Sequence, residues 1–155
     1  MTELQNHIRR FVRRLVIMTF FLTVFLMPGL AGQNEPSIIW VSFQYANQVS
    51  GLTNRKILIY VYTEWCSWCK LFQKNALKSP EVIHYLNDTY FCVKLNAENK
   101  EDIPGKDRTF SYLPQQKVNQ LAHILLDGKM QYPAFVIINE QSEIICRRTD
   151  LFENG

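Results

Sequence analysis

The chain has 155 residues, of which 47% are apolar or aromatic and 20% are charged, with a formal net charge of +3. This length and composition predict one globular domain plus an N-terminal segment, and they exclude a disordered or low-complexity chain. Residues 1–31 hold four of the 17 Lys and Arg and one of the 14 Asp and Glu, which leaves 13 of each. The remaining chain is about neutral, so its charge gives no reason to expect a nucleic-acid partner.

The N-terminal segment has the pattern of a secretory signal peptide. A basic start is followed by an apolar run at 15–27 and by small residues near 28–32; the basic residues are Arg9, Arg10, Arg13 and Arg14. The run is shorter than the ~20 residues that a spanning helix needs. We therefore predict a signal peptide at 1–31, with an uncleaved N-terminal membrane anchor as the alternative, a linker at 32–37 and a folded domain at 38–155. The expected location is periplasmic or secreted, in the bacterial cell envelope, where cysteine pairs can cycle or persist as disulfides.

The first half of the domain alternates strands and helices. An apolar run at 38–43 predicts a short strand, and Tyr45, Val49 and Leu52 recur at the spacing of a helix over 43–52. Residues 57–62 are all apolar or aromatic, which predicts a strand buried on both faces. It leads directly into two cysteines, Cys66 and Cys69, and a helix predicted to end near residue 77.

Lysines recur every four residues along that helix, at Lys70, Lys74 and Lys78. A solvated face is the simplest interpretation, and a docking surface for an acidic partner is the alternative. Ser79 and Pro80 predict the start of another helix, with Ser79 as its N-cap, followed by a turn at 87–88 and a strand at 90–95.

The second half of the domain begins with a polar excursion at 97–128 that contains a helix at about 115–126. Pro133 precedes a strand at 134–139, and a short polar turn connects it to a strand at 143–147, which predicts an antiparallel hairpin. The whole order predicts an α/β domain with a mixed sheet.

Cys66 and Cys69 have the spacing of a redox pair at the start of a helix. Free amides and the positive end of the helix dipole stabilise a thiolate there, so Cys66 is the candidate nucleophile and Cys69 the candidate resolving cysteine. The alternative is half of a zinc site, which needs two more ligands, usually a second closely spaced pair. The remaining candidates are isolated along the sequence: Cys92, Cys146, His84 and His123. We therefore expect no bound metal.

Over about residues 38–147 the chain resembles the thioredoxin superfamily, and within it the exported single-domain thioredoxin-like proteins. The resemblance depends on Glu-Trp-Cys-Ser-Trp-Cys-Lys at 64–70, Ser-Pro-Glu-Val at 79–82, Val-Lys-Leu at 93–95 and Lys-Met-Gln-Tyr-Pro at 129–133. It implies a thioredoxin-like fold with a central mixed β-sheet flanked by helices, a helical insertion before the strand that follows a cis-proline, and a short or missing C-terminal helix.

The resemblance also implies an activity and partners. The chain would be a thiol-disulfide oxidoreductase that reduces protein disulfides, without a cofactor, as a monomer that contacts a membrane only through an uncleaved N-terminal segment. Its partners would be protein disulfide or dithiol substrates, and a membrane or thioredoxin-like redox protein as electron source. The alternative is a redox-inactive binding or chaperone-like module.

Several site residues follow from the same resemblance. The Tyr132–Pro133 bond would be cis, and the substrate groove would consist of Trp65, Ser67, Trp68, Tyr132 and Pro133. Thioredoxins carry a buried acid six residues before the first cysteine, but this chain has Tyr60, a neutral phenol that cannot replace a carboxylate at neutral pH. Glu64, or water, is then the candidate for proton transfer.

Cys92 and Cys146 are expected to remain unpaired. In a thioredoxin-like sheet their strands are three places apart, about 14 Å at the usual strand spacing, whereas bridged Cα atoms lie within about 7 Å.

Overall fold

The computed structural model describes residues 2–25 and 35–149. The chain divides into two units, Met1–Asn34 and Glu35–Gly155. The first unit contains helix α1, Thr2–Phe25. Within the described residues, no helix combines the length and the apolar character that crossing a membrane requires. The cleavage region of the predicted signal peptide lies outside these residues, and the boundaries at 31 and 37 stay predictions.

The second unit is an α/β fold around a mixed sheet. The strands of this unit are β1 (Trp40–Val41), β2 (Lys56–Tyr62), β3 (Tyr90–Asn96), β4 (Ile103–Pro104), β5 (Thr109–Phe110), β6 (Tyr112–Leu113), β7 (Val118–Asn119), β8 (Ala134–Ile138) and β9 (Ile144–Arg148). Five of them form the central sheet, in the order β1-β3-β2-β8-β9. The helices of this unit are α2 (Phe43–Thr53), α3 (Ser67–Lys74), α4 (Pro80–Thr89) and α5 (Gln120–Leu125), with a 3₁₀ turn at Ala76–Lys78.

The apolar run at 57–62 forms the central strand β2, as predicted. β2 is parallel to β3 and antiparallel to β8. Because successive side chains of a strand point to opposite faces, Ile57, Ile59 and Val61 enter one core cluster, while Leu58 and Tyr60 enter the other. A strand buried on both faces lies in the middle of the sheet, so the chain leaves the C-terminal end of β2 at a central position before it enters α3.

The predicted strand at 38–43 is reduced to Trp40–Val41 because helix α2 begins early. Ser42 is its N-cap, and the Ser42 Oγ accepts a hydrogen bond from the Tyr45 amide at 3.1 Å. The predicted helix at 43–52 is confirmed with a slightly later end.

The helix after the cysteines ends at Lys74, not near 77, and a 3₁₀ turn follows. The predicted restart at Ser79 and Pro80 is confirmed, although the Ser79 side chain makes no capping hydrogen bond. The predicted turn at 87–88 is wrong. Asn87 stays helical because its amide group bonds outside α4, accepting from the Ile39 amide at 2.9 Å and donating to the Ser37 carbonyl at 2.9 Å.

The excursion contains two short antiparallel ribbons, β4–β5 and β6–β7, before α5. The helix predicted at 115–126 begins only at Gln120, since Asn119 caps it: the Asn119 Oδ1 accepts from the Leu121 amide at 2.9 Å.

Strands β8 and β9 form the predicted antiparallel hairpin, with a register irregularity between Ile137 and Ile138. Cys92 and Cys146 are both unpaired, as expected. The expectation of a short or missing C-terminal helix concerns residues 150–155, which lie outside the described part.

Candidate redox site

Cys66 and Cys69 form a disulfide with their Cα atoms 5.2 Å apart. Cys66 is the N-cap of α3, with an extended backbone, and its Sγ accepts a hydrogen bond from the Cys69 amide at 3.0 Å. In the reduced protein the same amide and the positive end of the helix dipole would favour a Cys66 thiolate. Cys69 is fully buried, whereas Cys66 is 5% exposed. The pair therefore has one sulfur nearer the surface and one enclosed.

A cis-proline lies beside the cysteine loop. The Tyr132–Pro133 peptide bond is cis, the geometry that the resemblance implied, and Pro133 is buried. Ala134 pairs with Val61 in the antiparallel register of β8 and β2. Continuing that register brings Tyr132 next to Thr63, three residues before Cys66.

Aromatic side chains surround this part of the surface. The Trp65 and Tyr132 rings meet edge to face with centroids 6.0 Å apart. Trp65 and Trp68 are 64% and 57% exposed, and Ser67 is exposed between them in sequence. Exposed aromatic surface of this kind is typical of binding sites. The structure thus brings Trp65 and Tyr132 into contact, and Tyr132 packs against the buried cluster that contains Cys66 and Cys69. Ser67 and Trp68 lie on the first turn of α3.

Glu98 contacts this site, although no sequence motif indicated it. The Trp65 Nε1 donates a hydrogen bond to the Glu98 Oε1 at 2.8 Å, and the Glu98 amide donates to the Asn96 Oδ1 at 3.0 Å. Burial, and then the Glu98 carboxylate, raise the pKa of Tyr132 to about 12. One signal could have identified it: Glu98 follows the end of β3, which is parallel to β2, and such strand ends share one sheet edge.

Tyr60 lies under the cysteine helix and is fully buried. Its hydroxyl donates to the Cys69 carbonyl at 3.1 Å and accepts from the Gln73 Nε2 at 3.3 Å. Burial raises the pKa of Tyr60 above the ordinary value of 10.0. The phenol therefore remains protonated and neutral throughout the physiological pH range. Gln73 is a second residue that the sequence did not identify.

Glu64, the candidate for proton transfer, is exposed. Burial, and then the nearby Glu64 carboxylate, raise the pKa of Tyr62 above its ordinary value. The proton-transfer role of Glu64 stays a prediction.

Among residues 2–25 and 35–149, no group of three or more His, Cys, Asp or Glu side chains could hold a metal ion. The two cysteines of the candidate zinc half-site are joined to each other by the disulfide.

A model of the Thioredox_DsbH family, described as "Protein of unknown function, DUF255", matches residues 27–146. The match spans most of the chain, and the chain therefore belongs to this family. No curated protein matches it.

Several solved structures are similar to the chain. A "DsbH Oxidoreductase" has 22% identity and a TM-score of 0.53, over 77% of this chain and 76% of that one. A putative disulphide-isomerase from Bacteroides thetaiotaomicron has 19% identity and a TM-score of 0.51, over 74% and 81%. A thioredoxin from Thermus thermophilus has 16% identity and a TM-score of 0.50, over 72% and 75%. At these identities the likeness shows the fold, and the predicted thioredoxin-like fold is confirmed.

Proposed function

We propose that this member of the Thioredox_DsbH family is a thiol-disulfide oxidoreductase that acts on protein substrates through Cys66 and Cys69. The observation that carries the proposal is the Cys66–Cys69 disulfide at the N-terminus of α3, in which Cys66 is the less buried cysteine. The similarity of the fold to a DsbH oxidoreductase and to a putative disulphide-isomerase supports it.

In the reducing direction the reaction begins with both cysteines reduced, with Cys66 as a thiolate that has released its proton to water and Cys69 as a thiol. The Cys66 thiolate attacks one sulfur of the substrate disulfide, the substrate S–S bond breaks, and the departing thiolate takes a proton from water. Cys69 then loses its proton, and its sulfur attacks the Cys66 Sγ. The mixed disulfide breaks, the second substrate thiolate is released and protonated, and a Cys66–Cys69 disulfide forms. Two electrons pass from the enzyme dithiol to the substrate.

Each predicted groove residue has a role in this scheme. The backbone before Pro133 would pair with an extended substrate segment, as a strand pairs with a sheet edge. Trp65, Trp68 and Tyr132 would contact the side chains of that segment, and Ser67 would face the attacked disulfide. Glu64, or water, would take the proton from Cys69.

The proposal includes the cellular compartment and the electron source of the reaction. The basic and apolar pattern of residues 1–31 supports export to the bacterial cell envelope, as a periplasmic or secreted protein. In that compartment a membrane or thioredoxin-like redox protein would supply the electrons, and the direction of flow would be reduction of protein disulfides. The exchange needs no cofactor.

Reduction of insulin disulfides by the purified domain tests the activity. We expect dithiothreitol-dependent reduction that is abolished in Cys66→Ser. Activity no greater than that of the Cys66→Ser variant would exclude the proposed function.

A redox-inactive binding module is the second candidate, because the neutral Tyr60 phenol lies against the Cys69 segment where thioredoxins carry an acid. Cys69→Ser separates the two candidates. A working enzyme accumulates covalent adducts through Cys66 when the resolving thiol is removed, and a binding module forms none.

A further inference from the structure

Asn119 fixes the excursion that approaches the cysteine loop. It is fully buried, and its amide N–H donates to the Ala97 carbonyl at 2.7 Å. Its Nδ2 lies 3.2 to 3.4 Å from three backbone carbonyl oxygens, those of Asn99, Glu101 and Phe110. Because one buried side chain bonds several turns of the excursion, the segment that begins at Ala97 has a defined position relative to the end of β3.

Glu98 lies at the base of this fixed segment and is half-buried. The Glu98 backbone amide donates a hydrogen bond to the Asn96 Oδ1, and the Glu98 carboxylate accepts the hydrogen bond from the indole of Trp65. Among residues 35–149, Glu98 forms no ion pair. Trp65 is 64% exposed, so the hydrogen bond to Glu98 and the ring contact with Tyr132 restrain a large side chain that otherwise faces solvent.

The contact requires a hydrogen-bond acceptor at position 98. An indole N–H can only donate, so it needs an acceptor, and an ionised carboxylate gives a stronger bond than a neutral one. The restrained indole meets the Tyr132 ring edge to face. Trp65 directly precedes Cys66 in the sequence, and Tyr132 directly precedes Pro133. Glu98, Trp65 and Tyr132 thus form one continuous wall next to the reactive pair.

We propose that Glu98 is a positioning residue for the exchange reaction, which holds Trp65 against Tyr132 so that this wall of the groove is formed before a substrate arrives. The inference rests on the proposed function. A wall formed in advance reduces the ordering cost of binding an extended protein substrate. It has no such effect on a small disulfide that reaches Cys66 without filling the groove.

Three variants test the role: Glu98→Ala, Glu98→Gln and the matched control Glu101→Gln. Gln keeps an acceptor oxygen for the indole and removes the charge. Glu101 is an exposed acid of the same excursion that bonds Asn119 through its backbone carbonyl. The kinetic assay measures reduction of insulin and, separately, of oxidised glutathione, and far-UV circular dichroism checks that every variant is folded.

For insulin we expect Glu98→Ala to raise KM by about two- to tenfold, the cost of immobilising one large side chain, with kcat changed less. Glu98→Gln should restore most of the wild-type KM, and Glu101→Gln should match the wild type. Turnover of oxidised glutathione should be the same in all of them.

A spectroscopic measurement follows Trp65 without requiring turnover. The chain has three tryptophans, and the Trp40→Phe, Trp68→Phe background leaves Trp65 as the fluorophore. Its fluorescence anisotropy should fall in Glu98→Ala and recover in Glu98→Gln.

The outcomes distinguish the two proposals. If the wild type is active, three results would each overturn the positioning role alone. The first is an insulin KM in Glu98→Ala equal to that of the wild type, and the second is a loss of glutathione turnover in Glu98→Ala as large as its loss with insulin. The third is a Glu98→Gln variant as impaired as Glu98→Ala. A wild type that reduces neither substrate would overturn the proposed function, and with it any role of Glu98 in exchange.

Discussion

The hydroxyl of Tyr60 donates a hydrogen bond to the carbonyl oxygen of Cys69, at 3.1 Å, inside the fully buried part of the redox site. The same hydroxyl accepts from Gln73, one turn further along α3. A phenol at this position thus anchors the helix that carries the resolving cysteine, whereas proton transfer has to use another group. The hydrogen bond connects the central strand β2 to the helix that carries Cys69.

Tyr60→Phe should destabilise the oxidised domain by about 1–3 kcal/mol, because the Cys69 carbonyl and the half-buried amide group of Gln73 lose their hydrogen bonds to the Tyr60 hydroxyl while the ring stays packed. The packing partners of the ring include Tyr62, Phe72 and Phe135. Urea denaturation followed by circular dichroism measures the change. Tyr45→Phe is the control, since Tyr45 is half exposed, and it should change stability by less than about 0.5 kcal/mol. Equal stability of Tyr60→Phe and the wild type would mean that the hydroxyl contributes nothing.

Alkaline pH should destabilise the domain through Tyr132. Its pKa is about 12 in the folded chain against an ordinary value of 10.0, so the unfolded chain loses the phenolic proton first. The contribution of the protonated Tyr132 phenol to the free energy of unfolding is complete below about pH 10 and is lost as pH rises through about 12. Denaturation of the oxidised domain at a series of pH values from 9 upwards measures the decline. Tyr132→Phe should show a shallower decline than the wild type, and parallel curves would contradict the assignment.

The two unpaired cysteines should differ strongly in reactivity. Cys92 is 1% exposed, and burial raises the pKa of its thiol to about 11, so little thiolate exists at pH 8 and access is blocked. Cys146 is half-buried on the edge strand β9. Iodoacetamide should therefore label Cys146 at least about tenfold faster than Cys92 in the native oxidised protein. Peptide mass spectrometry measures both rates, and labelling in urea, where the difference should largely disappear, is the control.

Asn119→Ala should loosen the excursion. The substitution removes the cap of α5 and the donor shared by the carbonyl groups of Asn99, Glu101 and the buried Phe110, which costs about 2–4 kcal/mol. Urea denaturation gives the stability, and limited proteolysis should cut the variant faster than the wild type within residues 97–119. The comparison variant is Asn54→Gly, because Asn54 is exposed and has a left-handed backbone that glycine accepts. If both variants resist proteolysis equally, Asn119 does not anchor the segment.

Local patterns in the sequence were sufficient to predict the framework of the site. The unbroken apolar run at 57–62 can be buried only as a central strand, which puts Cys66 at a strand end and the start of a helix. The hairpin of β8 and β9 and the helix that begins at Pro80 also follow from residues close to one another in the chain. Such features depend on periodicity and turn chemistry, which act over a few residues.

The tertiary structure decided the features that depend on distant hydrogen-bond partners. Asn87 could end a helix by its residue type, but its contacts with residues 37 and 39 keep it helical. Glu98 appears in the sequence as one charge in a polar excursion, and only packing brings it to Trp65. The sequence by itself therefore determined where the redox pair lies and which residue types surround it. The structure decided which groups hold the pair and its groove in place, because a polar side chain can bond many partners and the fold selects one.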